Sequence, residues 1–129
     1  MRVQTRFALL LCLLASTGCG GKSTDELIGD LKSPEERDRT IAVRLLQGRK
    51  GDAAKVVPAL IESLNDKEGD IRWSAAIGLG YFGEQAREAI PALEKAQHDR
   101  DARVREGATV ALSRIDPEQF PPLSKTRKK

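Results

Sequence analysis

The chain has 129 residues, 40% of them apolar, and a formal net charge of +3 from 22 Lys and Arg against 19 Asp and Glu. That length suits one domain with a modest core, and the near-balance of charge leaves no general basic footprint for a nucleic-acid backbone. Two cysteines and one histidine exclude a disulfide framework and a histidine-rich metal centre.

Residues 1–18 read as a secretory signal: Arg2 and Arg6, an apolar run from Phe7 to Ala15, then small residues. The run is far shorter than the roughly 20 residues needed to span a bilayer as a helix. Arg2 and Arg6 would leave with the signal, so an exported chain is close to neutral. The stretch Ala15-Ser16-Thr17-Gly18-Cys19 resembles the bacterial lipobox, with Ser16 where Leu is usual. That resemblance implies diacylglyceryl transfer to the Cys19 sulfur, cleavage before Cys19 and acylation of the new amino terminus. Cys12 lies inside the apolar run, so Cys19 becomes the sole thiol of an exported chain, and lipidation consumes a thiol that would otherwise pair between molecules. An ordinary cleavable signal with an incidental cysteine is the simpler alternative. Gly18 to Ser23 also ends like a phosphate-binding loop, but Ser16 stands where the motif needs Gly and no strand precedes it.

Beyond a short tether, residues 19–23, the chain repeats itself with a period of 33 residues, in segments beginning at Asp25, Pro58 and Pro91. Identical columns are Leu27/Leu60/Leu93, Arg39/Arg72/Arg105, Ala42/Ala75/Ala108 and Leu46/Leu79/Leu112. The apolar columns recur every three or four positions, which is helical spacing, so each segment predicts two helices and a polar turn. First helices are expected near 24–32, 53–65 and 86–98, and second helices near 34–47, 68–82 and 101–115. Ser23 with Glu26, and Ser33 with Pro34 and Glu36, carry N-terminal capping signals; Asp66 and Asp99 occupy the column of Ser33. Gly48, Gly83 and Pro117 mark the ends of the second helices, while Pro58 and Pro91 fall inside first helices and should bend them. Residues 24–116 are thus the repeat domain, and 117–129 a Pro-containing tail ending in Lys125, Arg127, Lys128 and Lys129. No sheet is predicted.

The pattern resembles HEAT repeats, in particular the short bacterial kind related to the repeats of phycobilisome lyases. Pro58-Ala59-Leu60, Asp66, Ile71-Arg72 and Ala75 to Gly80 carry the resemblance in the middle repeat. Pro91-Ala92-Leu93, Asp99, Val104-Arg105, Ala108 and Ala111-Leu112 carry it in the third. The first repeat is poorer, with Asp25 for Pro and Asp38 for the apolar residue before Arg. The resemblance implies an all-α fold, a short right-handed α-solenoid of about three helix pairs that stack by burying their apolar stripes.

Four sets of residues invite a functional reading. Arg39, Arg72 and Arg105, with Asp66 and Asp99 six positions before the last two, could form an anion site. A feature present in every repeat more commonly serves stacking, with each arginine bonding the turn aspartate or the carbonyls that end a first helix. Trp73, Ile77 and Tyr81 share one face of the middle second helix, where the neighbouring repeats are mostly polar; such a break suits a partner patch, or rings that cover the edge of a short stack. His98 beside Asp99 and Asp101 is a weak ligand set in a polar turn. The basic tail could meet anionic lipid, with Phe120 and Leu123 capping the last repeat.

No acid–base pair, activated nucleophile or cofactor motif is assembled, so no enzyme activity, cofactor or metal is expected. The expected function is a membrane-tethered module in the cell envelope that presents its second-helix ridge to an unidentified protein partner; in a Gram-negative host the periplasmic side of the outer membrane fits. An accessory role in tetrapyrrole-lyase or glycosylase chemistry, or a self-associating structural subunit, are the alternatives. Four residues between Cys19 and the first helix would let the module stand roughly 15 Å from the lipid at most.

Overall fold

The computed structural model describes residues 20–122. Six α-helices follow in order: α1 Thr24–Asp30, α2 Glu36–Leu46, α3 Ala53–Ser63, α4 Gly69–Phe82, α5 Ile90–Ala96 and α6 Ala102–Ile115. Short 3-10 segments, Lys50–Asp52 and Gly83–Ala89, lead into α3 and α5, and no strand occurs among the described residues. None of these helices is long and apolar enough to cross a membrane. Consecutive helices pair as α1/α2, α3/α4 and α5/α6, while α2, α4 and α6 pack side by side into a second layer, an all-helical short solenoid.

Column residues supply the core: Leu27, Leu46, Leu60, Ile71, Leu79, Leu93 and Leu112 are fully or almost fully buried. Burying each leucine or isoleucine stabilises the fold by about 1.5–3 kcal/mol, which is what holds helices this short in place. Helix α4 has neighbours on three sides and buries residues around most of its circumference, so it lacks the clean polar face of α2 or α6. Its contact with α6 is the most extensive in the molecule. Here a Cβ on Gly80 would lie 3.1 Å from the Cα of Ala111, and one on Gly107 would lie 3.6 Å from the Cβ of Ala76. Small residues at those four positions, more than the Ala42/Ala75/Ala108 column, therefore set the close approach.

Ser23 and Glu26 form the reciprocal capping box of α1 as the sequence predicts. The second helices start later than expected, with Glu35, Glu68 and Asp101 as N-caps. Ser33, Asp66 and Asp99 do not cap; their side-chain oxygens accept from the amide two residues on, at 3.1, 2.9 and 2.8 Å. These are turns built by short polar side chains on their own backbone. Gly83 ends α4 with φ of 55°, a left-handed value that glycine adopts without strain.

The third first helix differs most from expectation. It starts at Ile90, not near 86, because Ala86 leaves helical geometry (φ −101°, ψ 20°) inside the 3-10 segment. Pro91 then sits in the first turn of α5, where its missing N–H costs nothing. Pro58 lies within α3, which continues through it to Ser63; its exposed position lets water satisfy the carbonyl that loses its donor.

Candidate functional site

Two constellations emerge, one between repeats and one on their outer ridge. Arg39 donates through Nε to Asp66 Oδ2 (2.8 Å) and through Nη2 to Asp66 Oδ1 (3.3 Å), while Nη1 donates to the carbonyls of Ser33 and Pro34 (3.0 and 3.1 Å). Arg72 repeats this with both oxygens of Asp99 (2.9 Å each) and the carbonyls of Asp66 and Lys67 (2.8 and 3.1 Å). Each arginine thus takes its own turn by the backbone and the next repeat's aspartate by its side chain. The expected pairing with the aspartate six positions earlier is replaced by one 27 positions later. Stacking brings that later carboxylate in front of the guanidinium, whose Nη1 is already committed to the near turn.

Both clasps are nearly closed to solvent, with side-chain exposures of 7% and 11% for Arg39 and Asp66 and 6% and 14% for Arg72 and Asp99. The hydrogen bonds from Arg72 hold the Asp99 carboxyl below its usual range, against the opposing effect of burial. Four of the five N–H groups of each guanidinium are engaged and a carboxylate already neutralises its charge, so an added anion would have to displace the aspartate. Arg105 is different: it reaches only the carbonyls of Asp99 and Arg100 (2.9 and 3.2 Å), is exposed, and bonds to no carboxylate among the described residues.

On the ridge, the structure brings Trp73, Ile77 and Tyr81 together. Trp73 is 38% and Tyr81 49% exposed, and Ile77 is half-buried. With Ser74 of α4, Arg44 of α2 and Gln47 at the end of α2 they line a shallow groove of about 330 Å³ between the two helices. Gln47 donates to the Ser74 carbonyl at 2.9 Å across its floor. The Trp73 ring lies against Gly107 on α6, and the Arg114 guanidinium stacks 5.4 Å from the centre of the Tyr81 ring. Such a cation over an aromatic face contributes on the order of 0.5–1 kcal/mol at an exposed site. The rings therefore bridge α4 and α6 at their edges and present one face outward.

Sequence reasoning missed Arg44 and Gln47 as partners of this patch, and also the exposed Ile41 (45%) and Leu45 (51%) on α2. The signal for the latter pair was present: their columns hold Ser74 and Gly78, and Gly107 and Ala111, in the other repeats. His98 is exposed beside a second groove, between Leu64, Asn65, Ala92 and Lys95. Among the described residues no three His, Cys, Asp or Glu side chains are placed to hold a metal ion. Lys22 and Ser23, the end of the loop-like stretch, are engaged by Asp30 (2.6 Å) and by the α1 cap. Phe120 packs against the core. Cys19, Leu123 and the basic residues Lys125, Arg127, Lys128 and Lys129 lie outside the described residues.

Comparison with known proteins gives three results. None of the curated proteins matches the chain. Among solved structures, a chain in the complex of CpcE and CpcF of phycocyanin lyase from Nostoc sp. PCC7120 is similar, with a TM-score of 0.68 and 28% sequence identity. The match covers 78% of this chain and 40% of that one, so this chain spans less than half the neighbour's length. A family model described as HEAT repeats matches residues 24–123, continuous with all six helices, and the chain belongs to the HEAT-repeat family.

Proposed function

We propose that the chain is a non-enzymatic interaction module, exported and held at a membrane by a lipid on Cys19, that binds a protein partner through the ridge centred on Trp73, Ile77 and Tyr81. The observation that carries the reading is the pair of half-exposed rings around the α2/α4 groove. Rigid aromatic side chains held at a helix interface lose little entropy on binding and are over-represented where binding energy concentrates. Cys19 followed by only Gly20 to Ser23 before α1 supports a short tether, and the basic tail would add contact with anionic headgroups. Crosslinking in native membranes followed by mass spectrometry tests the reading, comparing the parent chain with a Trp73→Ala/Tyr81→Ala variant. Loss of one defined partner from the variant is expected; retention of every partner would sink the ridge as the contact. The intact mass of the amino-terminal peptide tests the lipid on Cys19.

A second reading, an accessory to tetrapyrrole-lyase chemistry, is favoured by the likeness to a phycocyanin lyase chain. Against it, the grooves at Trp73 and His98 are open and shallow and hold no assembled acid–base pair. Titration with a bilin, read by its visible absorbance, decides between the two: saturable binding at micromolar concentration would favour the lyase accessory.

A further inference from the structure

Each second helix meets its predecessor through one pair of columns. On α4 the pair is Ser74 and Gly78, packed on Gln47; on α6 it is Gly107 and Ala111, packed on Trp73 and Gly80. The same columns of α2 hold Ile41 and Leu45, four apart on one face and 45% and 51% exposed. The interior columns hold small residues because a neighbouring helix comes within contact of their backbone. Ile and Leu would hold such a helix off, so this face is not shaped for a further repeat.

The opposite end of the stack is finished with polar groups. There Gln97 donates to Thr109 at 3.1 Å, in columns that hold Leu31 and Leu64, and Val43 and Ala76, in the earlier repeats. Polar outer faces on terminal repeats are what keep a solenoid from associating. The α2 end lacks that finish.

Its neighbourhood indicates what covers it. Arg49 donates to the Lys22 carbonyl at 2.8 Å, which holds residue 22 beside the end of α2, about one helical turn beyond Leu45. Cys19 is three residues upstream, so a lipid on its sulfur would begin within roughly 10 Å of that point. Asp30 is paired with Lys22, and Asp38, the one exposed acid on the same face of α2, accepts from the Ser33 hydroxyl at 3.1 Å; the exposed Arg37, Arg44 and Lys50 bond to no carboxylate among the described residues and outnumber it. An apolar pair whose surroundings carry more unpaired cations than acids, close to where the lipid chain starts, is the make-up of an interfacial helix face.

We propose that the Ile41 and Leu45 face of α2 lies in the headgroup region of an anionic bilayer, so that the anchor sets the module's orientation as well as its address. The inference rests on the lipid-anchor reading of Cys19. In the processed lipoprotein an introduced cysteine is the only free thiol, since Cys12 leaves with the signal. Nitroxide labels at Leu45→Cys, Tyr81→Cys and Glu94→Cys, in the lipoprotein reconstituted into phosphatidylglycerol and phosphatidylethanolamine vesicles, report depth by collision with oxygen against a nickel chelate. All three positions are exposed, so each variant should keep its helical circular dichroism. The label at position 45 is expected about 5 Å inside the boundary, with 81 and 94 in water.

Protein that floats with the vesicles while position 45 stays in water overturns the inference and leaves the anchor intact. Immersion of position 81 in place of 45 overturns it by making the ridge the lipid face. Protection at 45 that disappears at one molecule per vesicle assigns the face to a second copy and overturns it too. Failure to float, with unmodified Cys19 by mass, removes the anchor and the inference together.

Discussion

Replacing Asp99 by asparagine isolates the charge in the α4 to α6 clasp. The Asn Oδ1 can still accept the Asp101 amide and the Arg72 Nη2 bond, while an amide nitrogen replaces the oxygen that accepted from Nε, so the turn survives while the guanidinium loses its counter-ion. Removing one partner of a buried pair costs about 3–5 kcal/mol because the other charge stays buried alone. With Arg72 at 6% exposure no large discount for solvent applies, and the two retained carbonyl bonds place Asp99→Asn near the lower end, about 3 kcal/mol. For a domain of this size that lowers Tm by on the order of 15 °C.

Asp25→Asn is the control, since its bond to Lys55 joins side chains 58% and 72% exposed, and water and salt screen such a pair so that its loss should change stability little. Urea unfolding followed by circular dichroism measures both. Adding Arg72→Met to Asp99→Asn removes the stranded charge and should recover at least about 1 kcal/mol. If Asp99→Asn and Asp25→Asn agree within about 0.5 kcal/mol, the clasp is no stronger than a surface pair and the reasoning fails.

The same carboxyl sets an acid limb. Its folded pKa is depressed by Arg72, so its contribution is fully present above the ordinary aspartate range near pH 3.9 and is lost as pH falls through the lower folded value. Unfolding at pH 5 and at pH 3 should differ less in Asp99→Asn than in the parent, and equal differences would contradict this assignment. Gly80→Ala puts a Cβ 3.1 Å from the Ala111 backbone, which cannot move aside; overpacking of about 1–3 kcal/mol outweighs the roughly 1 kcal/mol gained in helix propensity. Gly107→Ala meets instead the half-exposed Trp73 ring, which can swing outward, so stability should hold or rise while the emission of this single tryptophan shifts red. Equal destabilisation by both alanines would show that backbone and ring yield alike. Trp73→Ala with Tyr81→Ala should lower stability by no more than about 2 kcal/mol, because both side chains keep a large share of their surface in water, 38% and 49%; calorimetry showing a collapse of the fold would make them core residues.

The six helices, their pairing and the buried leucine columns were legible in the sequence because helix faces are written locally, in spacings of three and four and in caps such as Ser23 with Glu26. Boundaries were less so. Pro91 reads from the sequence as lying inside a first helix and Ser33 as an N-cap; the 3-10 segment before α5 moves the helix start to Ile90, next to Pro91, and the arginine that occupies the Ser33 and Pro34 carbonyls goes with a later start of α2. The triad Trp73, Ile77 and Tyr81 could be found as one helix face, but Arg44, Gln47 and Arg114 join it only because α2 and α6 flank α4. Asp66 and Asp99 were visible as a column, yet which arginine each serves depends on the rotation from one repeat to the next. A 33-residue period states that repeats are alike and contains nothing about that rotation. The partner 27 positions away, and the exposure of Ile41 and Leu45 at one end of the stack, are therefore properties of the assembled layers alone.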